Sequence, residues 1–296
     1  MTASQQNKRL IVIAGPTAVG KTELTIRLAQ YFETEIISCD SRQLYTELKI
    51  GVARPSDKEL KAAKHHFIAS HSIHDEYNAG KYAREVNELL KKLFTQHDVV
   101  IMTGGTGLYI KAATEGLDLL PTKNEKLREQ LNYILETEGL AALQSVAKSM
   151  DLLDTELDFD NPVRLMRAIE IKEGESNPTE AVQVPKYETT YLYLDRDRDE
   201  LYSRINKRVD TMLAMGLEDE ARTVHDYKDL NALHTVGYKE MFSYFDGEWT
   251  YEHTVEKIKQ HTRNYAKRQL TWFRNQGNYT MVKASFADVL AKIQED

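Results

Sequence analysis

The stretch Gly15-Pro16-Thr17-Ala18-Val19-Gly20-Lys21-Thr22 lies between an apolar run and a segment with helical spacing. The apolar run, residues 10–14, predicts a buried strand, and residues 23–29 predict a helix. A glycine-rich loop between a strand and a helix is typical of the P-loop, whose backbone N–H groups converge on a phosphate. The helix N-terminus adds partial positive charge. The stretch therefore predicts a site for a diphosphate or longer phosphate chain, with Lys21 on the outer phosphate and Thr22 on Mg²⁺.

Strands and helices alternate in the first part of the chain. Apolar runs at residues 35–39 and 98–102 predict two further strands, and residues 66–69 predict a short one. Such alternation is typical of a parallel sheet with helices on both faces. Because ligands gather at the carboxyl ends of parallel strands, we expect the P-loop, Asp40 and Gly104 to converge.

The middle of the chain changes to purely helical spacing, from about Pro121 to Glu173. Strand alternation returns at residues 189–194. We therefore predict an α/β fold in which a P-loop-type parallel sheet, flanked by helices, carries an all-helical insertion domain. The predicted parts are the first part of the core at 1–120, the insertion at 121–186, and the completion of the core with a basic C-terminal helical region at 187–296.

Composition restricts the classes of protein to which the chain can belong. Its 296 residues suffice for one large domain or a domain with an insertion. No apolar run approaches the roughly 18 residues needed to span a membrane, and residues 1–8 lack the apolar core of a signal peptide. The single cysteine, Cys39, excludes an intramolecular disulfide and suits a reducing cytoplasm, where we expect the protein. The net charge of -7 argues against a general nucleic-acid coat.

A carboxylate beside the phosphate loop is the candidate catalytic group. The strand at 98–102 ends in Thr103-Gly104-Gly105, without the acidic residue that most P-loop NTPases use to position Mg²⁺ and water. The strand at 35–39 instead ends at Asp40, which could accept a proton from an incoming nucleophile. The alternative is that Asp40 only caps the turn or holds metal-bound water. A second glycine-rich turn, at residues 104–107, offers the Thr106 hydroxyl as a donor to a substrate.

Basic residues concentrate near the C-terminus. Residues 256–274 contain six Lys or Arg against one acid, a local charge of +5, with aromatic residues interleaved. Cations position nucleic-acid backbones and aromatic rings stack on unpaired bases, but a solvated helix face with its aromatic residues in the core would look the same. The pairs Arg164 with Arg167 and Arg204 with Arg208 each share a helix face, where they could contact phosphate or form surface salt bridges.

Four histidines lie close together in the sequence, at His65, His66, His71 and His74. They lack a regular helical spacing and have few acidic neighbours. This pattern favours turns and ordinary hydrogen bonds over a metal site.

Taken together, the motifs resemble those of the tRNA dimethylallyltransferases, also called isopentenyl-diphosphate:tRNA transferases. The resemblance covers nearly the whole chain, and the ordered set is far more specific than the P-loop alone. Besides the P-loop, the motifs occupy residues 40–45, 50–55, 65–66, 104–109, 161–170, 204–208, 236–240 and 262–272.

The resemblance implies transfer of a dimethylallyl group from dimethylallyl diphosphate to the N6 amine of the adenine next to the anticodon, in tRNAs that read codons beginning with U. The P-loop then holds the diphosphate leaving group and the implied cofactor is Mg²⁺, while competition by ATP or GTP for the loop is left open. By the same resemblance Asp40 acts on the adenine amine, and Thr22 and Arg208 attend the diphosphate and metal. Contacts to the tRNA anticodon stem-loop are implied for Asp40, Ser41, Arg42, Gln43, Thr106, Arg128, Arg164, Leu165, Met166, Arg167, Ala168, Lys267, Arg268 and Gln269.

The departures from the family pattern are small. Val52 and Arg54 stand where Thr and Lys are commoner. Val19 stands where the family usually has Ser or another small residue, so we expect one hydroxyl near the phosphates to be lost. Backbone N–H groups make most of the phosphate contacts, which leaves the implied activity intact.

Three other functions use parts of the same pattern. One is prenylation of free AMP, ADP or ATP, against which the helical insertion and the basic helix argue, because a free nucleotide needs neither. The others are a small-molecule kinase and a non-catalytic RNA-binding switch driven by nucleotide, and the switch leaves Asp40 without a role. For the tRNA enzyme we expect a monomer.

Overall fold

The computed structural model describes residues 8–117, 121, 124–152, 157–174, 184–185 and 187–295. Six parallel strands among them form one sheet. The strand order is β3-β2-β4-β1-β5-β6. The predicted α/β class, a parallel sheet flanked by helices, is confirmed. The strands are β1 (Arg9–Ala14), β2 (Ile36–Ser38), β3 (His65–His66), β4 (Val99–Gly104), β5 (Glu188–Asp195) and β6 (Thr280–Lys283).

Strand β1 lies in the middle of this sheet, paired with β4 on one side and β5 on the other. Ile11, Val12 and Ile13 have no exposed surface. A strand covered by neighbours on both edges and by helices on both faces requires a continuous apolar run, which the sequence of β1 supplies. The loop that follows β1 therefore emerges at the centre of the carboxyl edge of the sheet.

Helices connect and cover the strands. None of the helices in the described parts of the chain has the length and apolar character needed to cross a membrane. In chain order they are α1 (Lys21–Tyr31), α2 (Asp57–Ala62), α3 (Ala79–Leu93), α4 (Gly107–Thr114), α5 (Glu125–Glu138), α6 (Leu140–Ser149), α7 (Pro162–Glu173), α8 (Arg198–Ala214), α9 (Leu217–Thr223), α10 (Tyr238–Phe245), α11 (Tyr251–Asn275) and α12 (Phe286–Glu295).

The chain divides into two compact units. The sheet unit comprises Met1–Glu115 and Val184–Asp296, and the helical unit comprises Gly116–Gln183. The sequence places the insertion at 121–186, within a few residues of these bounds. Helices α5, α6 and α7 of the helical unit pack around their own apolar core, in which Leu143, Leu165 and Ile169 are fully buried.

The sequence prediction differs from the structure at three short elements. The strand predicted at 66–69 ends at His66, because Phe67 and Ala69 have φ angles of 61° and 47°, which break an extended chain. The sequence analysis predicts no helix at residues 57–62, where the structure has α2. This helix begins with a capping box, in which Ser56 and Glu59 satisfy each other's backbone N–H groups. Strand β6 is also absent from the sequence prediction. Only one of its four side chains is buried, so its sequence lacks the apolar run that indicates a strand.

Candidate active site

The loop between β1 and α1 folds around the side chain of Lys21. Gly15 and Gly20 have φ angles of 147° and 110°, in the region that favours glycine, and Ala18 also has a positive φ of 64°. Lys21 Nζ donates to the carbonyl oxygens of Gly15 and Pro16 at 2.8 Å each. The ammonium group therefore lies at the phosphate loop itself, ahead of the N-terminus of α1.

Three arginines hold the outer side of the loop. Arg196 Nε donates to the carbonyl of Val19 at 2.7 Å, and Arg204 Nε donates to the carbonyl of Ala18 at 2.8 Å. Arg208 Nη1 lies 3.4 Å from Thr17 Oγ1. Arg204 therefore fixes the backbone of the loop, whereas Arg208 contacts the side chain of Thr17 at the edge of the cavity. The sequence analysis missed Arg196, which follows β5 without a recognisable motif.

Charge and burial at the loop alter two pKa values. Burial lowers the pKa of Lys21 to about 7; the nearby charge of Asp40 opposes this change and that of Arg208 adds to it. Burial and the neighbouring Arg204 lower the pKa of Arg208 from its ordinary value. A concentration of cations that is unfavourable by itself is suited to a bound polyanion.

The side chain of Val19 points away from this site. It has no exposed surface and belongs to the apolar core of the sheet unit. The Val19 side chain therefore serves packing in this chain, and a phosphate contact at this position is left to its backbone. The loop presents its backbone to the cavity while Val19 anchors it to the core.

Of the two roles that the sequence left open for Asp40, the structure shows the cap of the turn, and the catalytic role stays a prediction. It comes two residues after β2, and its Oδ1 accepts hydrogen bonds from the backbone N–H groups of Arg42 at 2.9 Å and Gln43 at 3.3 Å. None of the described residues donates to Oδ2. One oxygen caps the turn, and the other is available to a substrate.

The second glycine-rich turn is joined tightly to the Asp40 turn. The N–H of Thr106 donates to the carbonyl of Cys39 at 3.1 Å, and the N–H of Ser41 donates to Thr106 Oγ1 at 3.1 Å. A Cβ atom at Gly104 would lie 2.2 Å from the Cys39 carbonyl oxygen. Glycine is required at 104 because the two turns approach so closely.

Gln269 joins this turn to the P-loop. Its Oε1 accepts from the N–H of Thr17 at 2.9 Å, and its Nε2 donates to the carbonyl of Gly105 at 2.9 Å. The side chain is only 6% exposed, so both amide atoms are used inside the protein. On the same helix, burial and the nearby charge of Asp40 raise the pKa of Tyr265 to about 12.

The P-loop, the Asp40 turn and the second glycine-rich turn open into one cavity of about 1370 Å³. The predicted convergence of the three strand ends is therefore confirmed. The cavity is also bordered by the loop after Leu48 and by parts of α8, α10 and α11. Thr22, Arg208, Asp40 and Thr106 all line it.

The residues predicted to contact RNA lie in several environments of the sheet unit. Lys267 and Arg268 are exposed on α11. Arg42 donates to the carbonyl oxygens of Asn231 at 2.6 Å and His234 at 3.5 Å. Gln43 contacts the backbone after Leu48 rather than extending freely into the cavity. Their contacts with RNA remain predictions.

In the helical unit, buried Glu170 forms ion pairs with two of the unit's three arginines that are predicted to contact RNA. Its carboxylate accepts from Arg128 and Arg167, and Arg167 also donates to the carbonyl of Pro121 at 2.9 Å. Burial alone would raise the pKa of Glu170, but the hydrogen bonds from the two arginines lower it. Arg164 is exposed on the same helix. Of the remaining predicted contacts, Leu165 is buried in the core and Met166 and Ala168 are half-buried.

The imidazoles of His65, His66 and His71 make ordinary hydrogen bonds. His66 Nε2 lies 2.5 Å from a carboxylate oxygen of Glu35, and His65 Nδ1 lies 2.8 Å from the carbonyl oxygen of Ala63. The described residues contain no group of three or more His, Cys, Asp or Glu side chains placed to hold a metal ion.

Comparison with known proteins places these features in one family. The model of the family described as IPP transferase matches residues 43–276, which include the Asp40 turn from Gln43 onward, the second glycine-rich turn and α11. The chain belongs to the IPP transferase family. The resemblance inferred from the motifs is confirmed.

Other members of the family are similar over almost their whole length. The chain is 46% identical to tRNA dimethylallyltransferase 1 of Bacteroides fragilis, covering 90% of this chain and 91% of that protein. It is 48% identical to a tRNA dimethylallyltransferase of Christiangramia forsetii, covering 90% of each. The solved structure of a tRNA isopentenylpyrophosphate transferase from Bacillus halodurans matches with a TM-score of 0.70 and 33% identity, over 98% of this chain and 94% of that one.

Proposed function

We propose that the protein transfers a dimethylallyl group from dimethylallyl diphosphate to the N6 amine of the adenine next to the anticodon, in tRNAs that read codons beginning with U. One observation carries the proposal: the phosphate loop and Asp40, whose Oδ2 accepts no hydrogen bond from the described residues, line the same cavity. The relatives named tRNA dimethylallyltransferase, which the chain matches over nine-tenths of its length, support the same activity.

On the donor side, the protein stabilises the departing diphosphate. Lys21, the backbone N–H groups of the P-loop and Arg208 concentrate positive charge where negative charge develops as the allylic C–O bond breaks. Groups fixed in advance by the fold need no reorganisation during the reaction, which is why such arrangements contribute strongly to catalysis. The arginines that hold the outer carbonyls of the loop maintain this arrangement.

The hydroxyl group of Thr22, as a single protein ligand, fits Mg²⁺ bound beside a diphosphate. Mg²⁺ in phosphate sites usually takes few protein ligands and completes its shell with water and phosphate oxygens. The Thr22 side chain lines the cavity at the first turn of α1, directly after Lys21. Thr22 would hold the ion, which when bound supplies positive charge to the diphosphate.

On the acceptor side, Asp40 receives a proton from the amine. The N6 lone pair forms a bond to C1 of the allyl group, the bond from C1 to the diphosphate oxygen breaks, and one N6 proton passes to Asp40 Oδ2. Oδ1 remains tied to the N–H groups of Arg42 and Gln43, so the carboxylate keeps its orientation. The adenine must leave its stack to enter the cavity, as bases do in other enzymes that modify them.

Recognition of the tRNA requires the rest of the chain. We propose that the exposed cations of α11, Lys267 and Arg268, contact the anticodon stem-loop, and that the helical unit also contacts tRNA. We also propose that the protein is a monomer and that it acts in the cytoplasm, where tRNA is available and Cys39 stays reduced.

Incubation of the protein with dimethylallyl diphosphate, Mg²⁺ and unmodified tRNA tests this function. Mass spectrometry of the digested nucleosides should show an adenosine heavier by one five-carbon unit, and release of diphosphate in equal amount. Free AMP and ATP should give no product. Product on free nucleotide but not on tRNA, or transfer of phosphate from labelled ATP, would contradict the proposal.

A further inference from the structure

The carboxylate of Glu220, on α9, accepts hydrogen bonds from four donors. The backbone N–H groups of Lys49, Ile50 and Gly51 donate to it at 2.8 to 3.0 Å, and the hydroxyl of Tyr238 donates at 2.5 Å. Consecutive N–H groups that converge on one point form an anion-binding nest. Here the protein fills this nest with its own side chain.

Tyr238 completes the contact with this loop. It is fully buried, and a Cβ atom at Gly51 would lie 2.6 Å from its ring. Burial and the charge of Glu220 raise the pKa of Tyr238 well above its ordinary value, so its hydroxyl keeps the proton that it donates. The fit leaves the loop little freedom on the side that faces α9 and α10.

Gln43, a residue of the Asp40 turn, binds the same loop at residues 52 and 53. Gln43 Nε2 donates to the carbonyl oxygens of Val52 at 3.1 Å and Ala53 at 3.0 Å. The backbone N–H of the same Gln43 donates to Asp40 Oδ1. A continuous path of hydrogen bonds and backbone therefore runs from Glu220, through residues 49–53 and Gln43, to Asp40.

We propose that Glu220 is a positioning residue for prenyl transfer: it fixes the loop at 49–53 and, through Gln43, the carboxylate of Asp40. This inference rests on the proposed function. The loop borders the same cavity as the P-loop and Asp40, so its displacement would alter the space between donor and acceptor. Glu220 itself need not touch either substrate.

The variant Glu220→Gln tests the role in the transfer reaction. It keeps the size of the side chain but removes the charge and replaces one acceptor oxygen with an NH₂ group that faces donors. We expect kcat to fall by about 10- to 100-fold, because small misplacements of reacting groups slow a reaction by such factors. The KM for tRNA should stay within about twofold of wild type. The matched control is Glu218→Gln on the same helix, because Glu218 pairs with exposed Arg222 at the surface. In this control kcat should not change.

A double-mutant cycle tests the path through Gln43. If Glu220 acts through this residue, Glu220→Gln combined with Gln43→Ala should be little worse than the more damaging single variant. Additive losses would overturn the path. A wild-type kcat in folded Glu220→Gln would overturn the proposal as a whole.

Hydrogen exchange provides a readout that does not depend on activity. The amides of residues 49–51 should exchange at least about tenfold faster in Glu220→Gln than in wild type, while those of β1 stay protected. Tyr238→Phe, which keeps the ring against Gly51 and removes one donor, should show a smaller change and covers the case in which Glu220→Gln fails to fold. Unchanged exchange in both variants would overturn the proposal, whereas a wild-type protein that prenylates no tRNA would overturn the proposed function instead.

Discussion

The donor and acceptor sides of the cavity are built from different parts of the polypeptide. On the donor side, the P-loop offers backbone N–H groups, and the side chain of Val19 points into the core. On the proposed acceptor side, the candidate groups are the side chains of Asp40 and Thr106, which accept hydrogen bonds from backbone N–H groups. Backbone contacts should tolerate changes in residue type that keep the loop geometry, such as a change at Val19, while Lys21 and the side chains of the acceptor side should not.

The largest expected effect follows from removing the acceptor carboxylate. Asp40→Ala should lower kcat by about 10²- to 10⁴-fold, the range for loss of a positioned proton acceptor, with little change in tRNA affinity. Single-turnover rates and filter binding measure the two quantities. Asp98→Ala is the control, because Asp98 is 79% exposed and lies at the amino end of β4. Wild-type turnover in Asp40→Ala would remove Asp40 from the mechanism.

On the donor side, the side chain expected to matter most is Lys21. Lys21→Met should lower kcat/KM by about 10²- to 10³-fold, because a charged donor to the leaving group is lost. The exposed Lys91 of α3 provides the control substitution, Lys91→Met.

The pH dependence of donor binding tests the state of Lys21. Its pKa of about 7 in the free protein means that the amine is mostly neutral at pH 8.5, whereas the bound diphosphate favours the charged form. Binding should therefore take up nearly one proton at pH 8.5, and affinity should fall as pH rises above 7. Calorimetry in buffers of different ionisation enthalpy measures the proton. Uptake that is equal in Lys21→Met would contradict this assignment.

An intermediate effect is expected where the two sides are joined. Gln269→Ala removes the hydrogen bonds to Thr17 and Gly105 and should lower kcat by about tenfold through misplacement of both turns. Gln260→Ala, on the exposed face of the same helix, is the matched control. Loss of tRNA affinity without loss of kcat would show instead that Gln269 serves RNA binding.

The smallest effect on turnover is expected at Val19. Val19→Ser should lower the free energy of unfolding by about 1–3 kcal/mol, because it removes apolar contacts and buries a hydroxyl. Chemical denaturation measures this loss, and kcat should stay within about twofold of wild type at a temperature where the variant is folded. A large change in kcat with unchanged stability would contradict the backbone character of the donor side.

The same contrast explains how much the sequence could predict. Strand β1, the P-loop and Asp40 follow from local patterns, since an apolar run, a glycine spacing and a carboxylate at a strand end are read from neighbouring residues. The roles of Arg196, Glu220 and Gln269 depend on contacts between residues more than 150 positions apart. No local pattern distinguishes these side chains from ordinary polar residues of a helix or loop.

Gln269 and Val19 illustrate the limit most clearly. Gln269 lies next to the exposed cations Lys267 and Arg268, so its motif suggests RNA contact, yet the helix turns its amide inward. Val19 lies within a phosphate motif, yet its side chain belongs to the core. In both cases the direction of the side chain, which neither the motif nor its spacing contains, decides the role.

The most direct test of the central claim is a crystal structure with an unreactive thiolo analogue of dimethylallyl diphosphate bound. The diphosphate should lie within hydrogen-bonding distance of the P-loop N–H groups and Lys21, with the allylic C1 directed toward Asp40 Oδ2. A diphosphate found elsewhere in the cavity, or a C1 atom that faces away from Asp40, would contradict the account.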